Sequence, residues 1–550
     1  MKGVVLTESA PPADLAFGSF TDDGPWTIDL EHLTWKTGLT ELRERQKDEV
    51  PQMMRRRPLP PARRFFGTGF RLGWALLAWR VIDRRRGGSA SRAGLSRRLR
   101  EQFTTLGPTY IKLGQIISSG EGLFPPELVE EFKLCRDRVP AETFATVRRV
   151  IEEDLGRPIE AVFAEFNPTP VAAASIAQVH FATLMTGEEV VVKVQRPQVN
   201  HLVHQDIRAM AWIAPFMVGR IPVAALANPP SLVEVFAETI TEELDFRLEA
   251  ENMLDIAAVM AELGQRHWVV PRPHPDLVTP RVLVMERVSG FKLDDVPGMK
   301  GAGVDTEAVI RTAMISFLEG AMFYGIFHGD LHGGNLFVRP DGRIALMDFG
   351  MTGRLDDKQR LAFLGLLVCA ATNDLRGQLT SLRDLGALEP DVDLDKLITD
   401  FNLDRPPPDL TKMSGEEMVS ELQKTVKQLL AYGAKLPKVL MLFVKDMLFL
   451  DGAILHLAPD IDLISEISLI ANTITDKRRD IIAKELGMDA DDLVVDLEAI
   501  NAVLAPSDEG GVSYRDLAQR RKEIQQKMDV QRDSGAIRDL RKSLRSNPRD

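Results

Sequence analysis

The stretch FHGDLHGGNLFVRPDGRIALMDFG, Phe327 to Gly350, places Asp330, Asn335 and Asp348 among short apolar runs and glycines. Kinase-type enzymes use such groups in this order: an aspartate that orients a hydroxyl, an asparagine that binds metal, and an Asp-Phe-Gly whose carboxylate holds magnesium between phosphates. The intervening LFVRPDGRIALMD predicts a β-hairpin that brings its two ends to one cleft, with Asp341 as a turn residue. The joint pattern therefore predicts a site for phosphoryl transfer.

Two histidines beside Asp330, His328 and His332, raise zinc as an alternative metal. Zinc catalysis usually needs a third protein ligand and gives no role to Asn335 or Asp348. Magnesium prefers the oxygens of carboxylates, carbonyls and phosphates. The pattern therefore favours magnesium, and each histidine is better explained as a hydrogen-bonded support of the loop.

A kinase cleft also needs a cation for the nucleotide phosphates, and Lys193 in VVVKVQ is the candidate. A lysine within a run of valines buries its stem in a strand, so its ammonium needs an acidic partner. The run EELDFRLEAE further along the chain offers carboxylates for this purpose.

The turn before this lysine contains alanines where protein kinases have glycines. Glycine allows positive φ angles, which bring backbone N–H groups close to phosphate, whereas alanine resists such angles. We therefore expect the phosphates to sit differently on this turn. Its residues are Ala172, Ala173, Ala174 and Ser175.

Length and composition restrict the class of protein. A chain of 550 residues that is 44% hydrophobic and 27% charged is typical of a folded protein with several domains. Its two cysteines, Cys135 and Cys369, give no disulfide framework and favour a reducing compartment. No signal-peptide pattern begins the chain, and charges interrupt the longest apolar stretches, so we expect a cytoplasmic protein without a spanning helix.

Charge is unevenly distributed along the chain. Residues 55–100 contain fourteen arginines, a single acid, Asp83, and no lysine, although the whole chain has a formal net charge of −12. Aromatic residues among these arginines suit a helix in the headgroup region of an anionic bilayer; docking on the protein's own acidic body is an equal alternative. No RNA-binding signature accompanies the segment, so no nucleic-acid partner is expected. The aromatic residues are Phe65, Phe66, Phe70, Trp74 and Trp79.

Five motifs occur in the order found in one family of atypical kinases: AAASIAQVH, VVVKVQRP, ELDFRLEAEN, HGDLHGGN and MDFG. That family's own signature, Lys-x-Gly-Gln, is present at Lys112, Gly114 and Gln115. The chain therefore resembles the UbiB family, whose members are also called AarF-domain or ABC-one proteins, over roughly residues 95–458. Several members have a hydrophobic carboxy-terminal anchor, whereas this carboxy terminus is highly charged, so any membrane contact should be peripheral.

The resemblance implies a role for each candidate residue. Lys193 corresponds to the nucleotide-binding lysine, Glu249 to the glutamate of helix C, and Glu286 to the hinge that meets the base. The implied cofactors are ATP or ADP and Mg²⁺. The catalytic aspartate and the two metal ligands correspond to Asp330, Asn335 and Asp348.

The resemblance also implies that a helical extension carrying the Lys-x-Gly-Gln signature covers the active site. Glu243 and Asp245 would be the ion-pair partners of Lys112. A lysine buried in an apolar helix is costly unless carboxylates match it, which makes this pairing reasonable on physical grounds. The alternative is that the pair is purely architectural.

These arguments predict an α+β fold, namely a protein kinase-like two-lobed fold with an N-terminal helical extension and a helical C-terminal region. The expected units are an N-terminal region with the basic segment (1–94), the Lys-x-Gly-Gln extension (95–155), the small lobe (156–290), the helical large lobe (291–480) and a charged tail (481–550).

Three functions are compatible with the sequence. The first is an ATP-dependent phosphotransferase or ATPase that supports lipid or prenylquinone metabolism. No Ala-Pro-Glu and no long activation loop follow Gly350, which favours a small or lipidic substrate over a protein. The others are an aminoglycoside or choline-type phosphotransferase, which also uses HGDLHxGN, and a non-catalytic nucleotide-sensing scaffold. No oligomeric state is predicted.

Overall fold

The computed structural model describes residues 13–55, 62–118, 125–135, 140–217, 229–372, 374–401 and 437–487, with isolated positions between 432 and 526. Most of the charged tail predicted for residues 481–550 lies outside the described residues, and so do residues 56–61 of the basic segment.

In the described residues, α1 to α7 precede the first strand, and groups of strands then alternate with groups of helices. The helices are α1 (Ala13–Phe17), α2 (Leu39–Met54), α3 (Ala62–Ala78), α4 (Gly88–Leu106), α5 (Pro108–Ser118), α6 (Pro126–Lys133), α7 (Phe144–Leu155), α8 (Val199–Met217), α9 (Pro229–Glu242), α10 (Phe246–Glu262), α11 (Val296–Gly301), α12 (Thr306–Glu319), α13 (Asp357–Ala371), α14 (Leu375–Asp384), α15 (Leu394–Phe401), α16 (Lys438–Leu457) and α17 (Leu463–Leu486). The strands are β1 (Phe163–Phe166), β2 (Ala172–Ala173), β3 (Ala177–Leu184), β4 (Glu189–Gln195), β5 (Trp268–Val269), β6 (Pro273–Val278), β7 (Val282–Glu286), β8 (Phe291–Lys292), β9 (Ile326–His328), β10 (Leu336–Val338), β11 (Ile344–Leu346) and β12 (Thr352–Arg354).

The small lobe is an antiparallel sheet in the order β1-β3-β4-β7-β6, with β2 paired to β3. Side chains alternate between the two faces of a strand, so Val190, Val192 and Val194 of β4 share one face. These valines pack against Val147 and other apolar residues of α7. Lys193, between two of them in sequence, therefore lies on the opposite face of the sheet.

Helix α7 marks a difference from the predicted domain boundaries. Residues 95–155 were expected to form the Lys-x-Gly-Gln extension as one unit. In the structure Val150 and Ile151 of α7 are fully buried against the small-lobe sheet, whereas α4, α5 and α6 pack on one another. Because the apolar face of α7 is covered by β4 and β7, this helix belongs structurally to the small lobe.

The large lobe is mainly helical and contains the hairpin predicted from LFVRPDGRIALMD. Strands β10 and β11 pair antiparallel, with Leu336 opposite Leu346, which confirms the hairpin. Asp341 lies in its turn, where its carboxylate accepts a hydrogen bond from the backbone N–H of Arg343. The described fold confirms the predicted two-lobed, kinase-like α+β architecture.

The N-terminal helices form a layer that shares a core with both lobes. Leu95, Phe132 and Phe236, on α4, α6 and α9, are fully buried in the same cluster as Phe349 of the large lobe. A Cβ at Gly114 would lie 2.6 Å from the Phe132 ring, so glycine lets α5 and α6 approach closely. Within the described part of the chain, no helix has the length and apolar content needed to cross a bilayer.

Candidate functional site

Lys193 lies at the centre of the candidate site. Its Nζ is 2.7 Å and 2.9 Å from the two carboxylate oxygens of Glu249, in the first turn of α10, and 2.9 Å from Oδ1 of Asp348. Burial alone would lower the pKa of Lys193, but the carboxylates of Asp348 and Glu249 raise it above its usual value. The lysine is therefore a permanent cation in the cleft, held between the two lobes.

The second half of the hairpin places Asp348 beside Asn335. The backbone N–H of Met347, which lies between the end of β11 and Asp348, donates to the carbonyl oxygen of Asn335 at 2.9 Å. Asp348 has a φ of 60°, a left-handed conformation that aspartate adopts more readily than most residues. The side chain of Asp348 is 42% exposed, so its carboxylate is accessible from the cleft.

The loop containing Asp330 is organised by His328. The Nε2 of this histidine lies 2.9 Å from the carbonyl oxygen of Asp348, and its Nδ1 accepts the backbone N–H of Asp330 at 3.1 Å. Burial lowers the pKa of His328 to about 4, so the ring is neutral at pH 7. Because backbone groups occupy both ring nitrogens, the contacts support a structural role for His328 rather than zinc ligation.

Asn335 also supports the loop, because its side-chain Nδ2 donates to the carbonyl oxygen of Asp330 at 3.0 Å. His332 has a comparable local role, since its Nδ1 accepts the backbone N–H of Gly334 at 3.0 Å. The oxygen of the Asn335 amide and the carboxylate of Asp348 are hard donors of the kind that Mg²⁺ prefers. The donor set on this hairpin thus fits magnesium.

Lys112 reaches the same cleft from α5. Its Nζ is 2.7 Å from Oε1 of Glu243, and both side chains are nearly fully buried. Burial alone would lower the pKa of Lys112, but Glu243 first, then Asp330 and Asp348, raise it above its usual value. The extension therefore places a second cation near the carboxylates that were predicted to bind the metal and orient the acceptor.

Asp245 does not have the contact that the sequence predicted. Its two carboxylate oxygens accept hydrogen bonds from Arg247, at 3.0 Å and 2.7 Å, and Oδ1 also caps the start of α10. Glu243 and Asp245 lie in the turn between α9 and α10, so their side chains point in different directions. Glu243 is the partner that contacts Lys112 in the described residues.

The alanine turn and the extension lie next to each other. Ser175 is buried, and its hydroxyl donates to Oε1 of Gln115 at 3.5 Å. Ala172 and Ala173 form the short strand β2 rather than an open loop. Ala174 offers its carbonyl oxygen to Arg196 at 3.1 Å. None of the four turn residues has a positive φ, as expected for alanine.

Glu286 ends β7, at the place where the hinge was expected. Its carboxylate is turned into the protein, 3.1 Å from a guanidinium nitrogen of Arg272, and it also accepts a hydrogen bond from Thr21. Arg272 is in turn paired with Asp14. The side chain of Glu286 thus ties the end of β7 to the N-terminal segment, and its backbone N–H donates to the carbonyl oxygen of Arg272 at 2.8 Å.

Three contacts at the site were not predicted from the sequence. Lys445 on α16 donates to Oδ1 of Asp330 at 2.7 Å, and its neighbour Asp446 accepts the backbone N–H of Leu331 at 2.9 Å. Asn252, on α10, donates to the carbonyl oxygen of Phe349 at 2.8 Å. The sequence contains a sign of the contacts made by α16, because the adjacent charges of Lys445 and Asp446 interrupt its apolar run.

The basic segment has two different faces. On the inner face of α3, Arg64 pairs with the buried Asp206 of α8, and Phe65 packs edge-on against Trp212 with ring centroids 4.6 Å apart. On the outer face, Phe70 is 75% exposed and Trp74 is 59% exposed. Docking on the protein body therefore explains the residues of the inner face, but it does not explain the exposed aromatic residues of the outer face.

The fold and the site define a kinase-like protein: a strand lysine held by a helix glutamate faces a loop aspartate and a hairpin that carries asparagine and aspartate. Comparison with known proteins agrees, because residues 134–381 match the model of the ABC1 atypical kinase-like domain. An uncharacterized protein of Mycobacterium tuberculosis is 36% identical over 74% of this chain and 84% of its own length.

Two further relatives have descriptive names. A chloroplast protein of Arabidopsis thaliana named as an uncharacterized aarF domain-containing protein kinase is 32% identical over 70% of this chain and 76% of the relative. A protein of Aeromonas salmonicida named "Probable protein kinase UbiB" is 31% identical over 66% of this chain and 68% of the relative. The chain therefore belongs to the ABC1 (UbiB/AarF) family of atypical kinase-like proteins.

A solved structure of a Mycobacterium tuberculosis protein in complex with erythromycin also aligns with this chain. The alignment covers 63% of this chain and 91% of that protein, with 22% identity and a TM-score of 0.35.

Proposed function

We propose that the protein is an atypical kinase or ATPase that binds Mg-nucleotide in the cleft beneath the Lys-x-Gly-Gln extension. The observation that carries this proposal is the position of Lys193, whose ammonium joins Glu249 of the small lobe to Asp348 of the large lobe. An ammonium fixed in this way can bind the phosphates of a nucleotide, while the carboxylate of Asp348 binds a metal ion.

Each residue at the site has a distinct task in this proposal. Lys193 binds the nucleotide phosphates, and Glu249 keeps the ammonium in place. Asp348 and Asn335 hold Mg²⁺, which would neutralise charge on the phosphates when bound. Asp330 orients the oxygen that accepts the phosphoryl group, whether that oxygen belongs to a substrate hydroxyl or to water.

A small or lipidic acceptor is favoured over a protein. Helix α13 begins at Asp357, nine residues after Asp348, and the short strand β12 occupies part of that interval. A segment of this length offers little surface for a protein substrate. The family relationship supports lipid or prenylquinone metabolism, of the ubiquinone type, as the setting.

The proposal is tested by a melting series with ATP and ADP, each with and without magnesium. We expect either nucleotide to raise the melting temperature by a few degrees, and more with magnesium than without. A ligand at 100 times its Kd stabilises the folded state by about 2.7 kcal/mol. Identical curves with and without nucleotide would contradict Mg-nucleotide binding.

Turnover measurements made beside the melting series separate the other two candidate functions. A nucleotide-sensing scaffold would be stabilised strongly by nucleotide but would turn it over very slowly. An aminoglycoside or choline-type phosphotransferase would rapidly phosphorylate a soluble aminoglycoside or amino alcohol. Turnover that is slow without membranes and faster with anionic vesicles would instead favour a lipidic setting.

We further propose that α3 docks peripherally on an anionic membrane surface. Its outer face exposes large apolar side chains spaced three or four residues apart, which is the pattern of a helix lying in the headgroup region. Exposed arginines follow directly at the end of this helix and suit anionic lipids. The apolar residues are Phe66, Phe70, Trp74 and Leu77, followed by Val81 just after the helix, and the arginines are Arg80, Arg84, Arg85 and Arg86.

Replacing Phe70 and Trp74 together with serine should weaken vesicle binding about tenfold or more, because two large apolar side chains no longer enter the bilayer. Co-sedimentation with vesicles containing phosphatidylglycerol measures this, with neutral phosphatidylcholine vesicles for comparison. The matched control is Met185→Ser, since Met185 is 61% exposed but lies in the turn between β3 and β4. Unchanged binding by the double variant would contradict the proposal.

A further inference from the structure

Helix α16 contacts the catalytic loop at successive residues. Lys445 donates to Oδ1 of Asp330 at 2.7 Å, and the adjacent Asp446 accepts the backbone N–H of Leu331 at 2.9 Å. Both contacts join residues that are 115 positions apart in sequence. The loop aspartate is therefore fixed by the large lobe through its side chain and through the backbone beside it.

A third contact comes from the preceding turn of the same helix. A Cβ placed on Gly329 would lie 3.0 Å from Cδ1 of Leu442, so this glycine lets α16 approach the loop closely. Residues 442, 445 and 446 share one face of the helix, because side chains three and four residues apart are neighbours. One rigid face of α16 thus sets the position of Asp330.

Lys445 lies in a buried, apolar environment, which is unfavourable for an ammonium group that has no acidic partner. Its side chain is 8% exposed, and it lies on a helix where Leu442, Phe443 and Leu450 are buried in the core. An ammonium removed from water is costly without a well-placed carboxylate. Of the two acids close to Lys445, Asp330 makes the shorter contact, at 2.7 Å against 3.9 Å for Asp446.

The two acids beside this lysine are in different states. Burial raises the pKa of Asp446 well above its usual value, in spite of Lys445. Burial also acts on Asp330, but Lys445 first, then Lys112 and His332, lower the pKa of Asp330 below its usual range. Together with the shorter contact to Lys445, these directions make Asp330 the carboxylate that the ammonium holds. Other titratable groups around this site are His328 in the loop and Asp348 after β11.

A carboxylate bound to an ammonium is a weak base but a well-oriented hydrogen-bond acceptor. Phosphoryl transfer through a loose transition state depends on positioning and on electrostatics more than on early removal of a proton. We propose that Lys445 is a positioning residue for phosphoryl transfer, which fixes one oxygen of Asp330 so that the other orients the acceptor oxygen. This inference rests on the proposed kinase or ATPase function.

The test compares Lys445→Met, Lys445→Gln and Lys445→Arg in the full-length protein. We expect the two neutral variants to lower kcat for ATP on the order of 10²-fold, because the acceptor loses its fixed geometry. Stabilisation by Mg-ADP should persist, since Lys193, Asn335 and Asp348 are unchanged. Lys445→Arg should restore most of the activity.

The split between kcat and nucleotide affinity provides a readout that a purely structural role would not give. Lys445→Met should lower kcat while the KM for ATP and the Kd for Mg-ADP change by less than about twofold, and Lys445→Arg should return kcat. The matched control is Lys438→Met, because Lys438 lies on the same helix and pairs with Glu242 at 2.7 Å, away from the loop. It should leave both kcat and the KM for ATP unchanged.

A thermodynamic cycle covers the case in which the neutral variants also lose stability. Lys445→Met and Asp330→Asn should be strongly non-additive in unfolding free energy if the two side chains interact as the structure shows. Additive effects, or a Lys445→Met enzyme with unchanged kcat, would overturn the inference. If the unsubstituted protein turns over no ATP, the proposed function itself fails and this inference falls with it.

Discussion

Replacing Asp348 with asparagine should lower ATP turnover on the order of 10³-fold, which is the largest loss we expect from any single substitution at this site. The carboxylate has two contacts to lose, one to Lys193 at 2.9 Å and one to the metal that the cleft would hold. Asparagine keeps the shape but not the charge, so the metal would lose its anionic ligand. Steady-state ATPase measurements at saturating magnesium would detect the loss.

Asp341→Asn is the matched control for this substitution. Asp341 is on the same hairpin, its side chain is also 42% exposed, and it is paired with a cation, Arg343, at 2.8 Å. Because it lies in the turn at the far end from the cleft, its loss should change turnover less than about twofold. ATP turnover that survives Asp348→Asn would contradict the catalytic core of the proposal, whatever the effect on stability.

The parts of the site that the sequence predicted are those set by local chain geometry. The hairpin from Leu336 to Leu346 needs only two short apolar runs and a turn, so its register could be deduced from LFVRPDGRIALMD. The alternation of side chains along β4 separates Lys193 from the valines on either side of it. In both cases, neighbours in sequence determine which side chains face the cleft.

The parts that the sequence did not predict depend on how helices are rotated against one another. Asp245 was expected to share Lys112 with Glu243, but the turn between α9 and α10 directs it to Arg247 instead. Lys445 is one of the charges that interrupt the longest apolar stretches, and its pairing with Asp330, which lies 115 residues away, was not predicted. Neither outcome follows from spacing, since the packing of distant elements decides both.

The pair formed by Lys112 and Glu243 should be the most costly ion pair to break in the extension. Replacing Lys112 with methionine would leave the nearly fully buried Glu243 without its cation, which typically costs about 3–5 kcal/mol. The double variant Lys112→Met with Glu243→Gln should recover most of this loss, because no buried charge remains uncompensated. Denaturant unfolding of the two single variants and the double variant measures the coupling.

The exposed pair formed by Lys133 and Glu130 on α6 is a suitable control in the same extension. Its side chains are 36% and 68% exposed, so Lys133→Met should cost less than about 1 kcal/mol. Additive losses for Lys112 and Glu243 would show that the pair does not hold the extension in place.

The variant Lys112→Met should also bind magnesium more tightly when nucleotide is present, because the positive charge of Lys112 would no longer oppose a metal ion near Asp330 and Asp348. The Lys112 ammonium would then have two effects: it holds the extension through Glu243, and it weakens magnesium binding in the cleft.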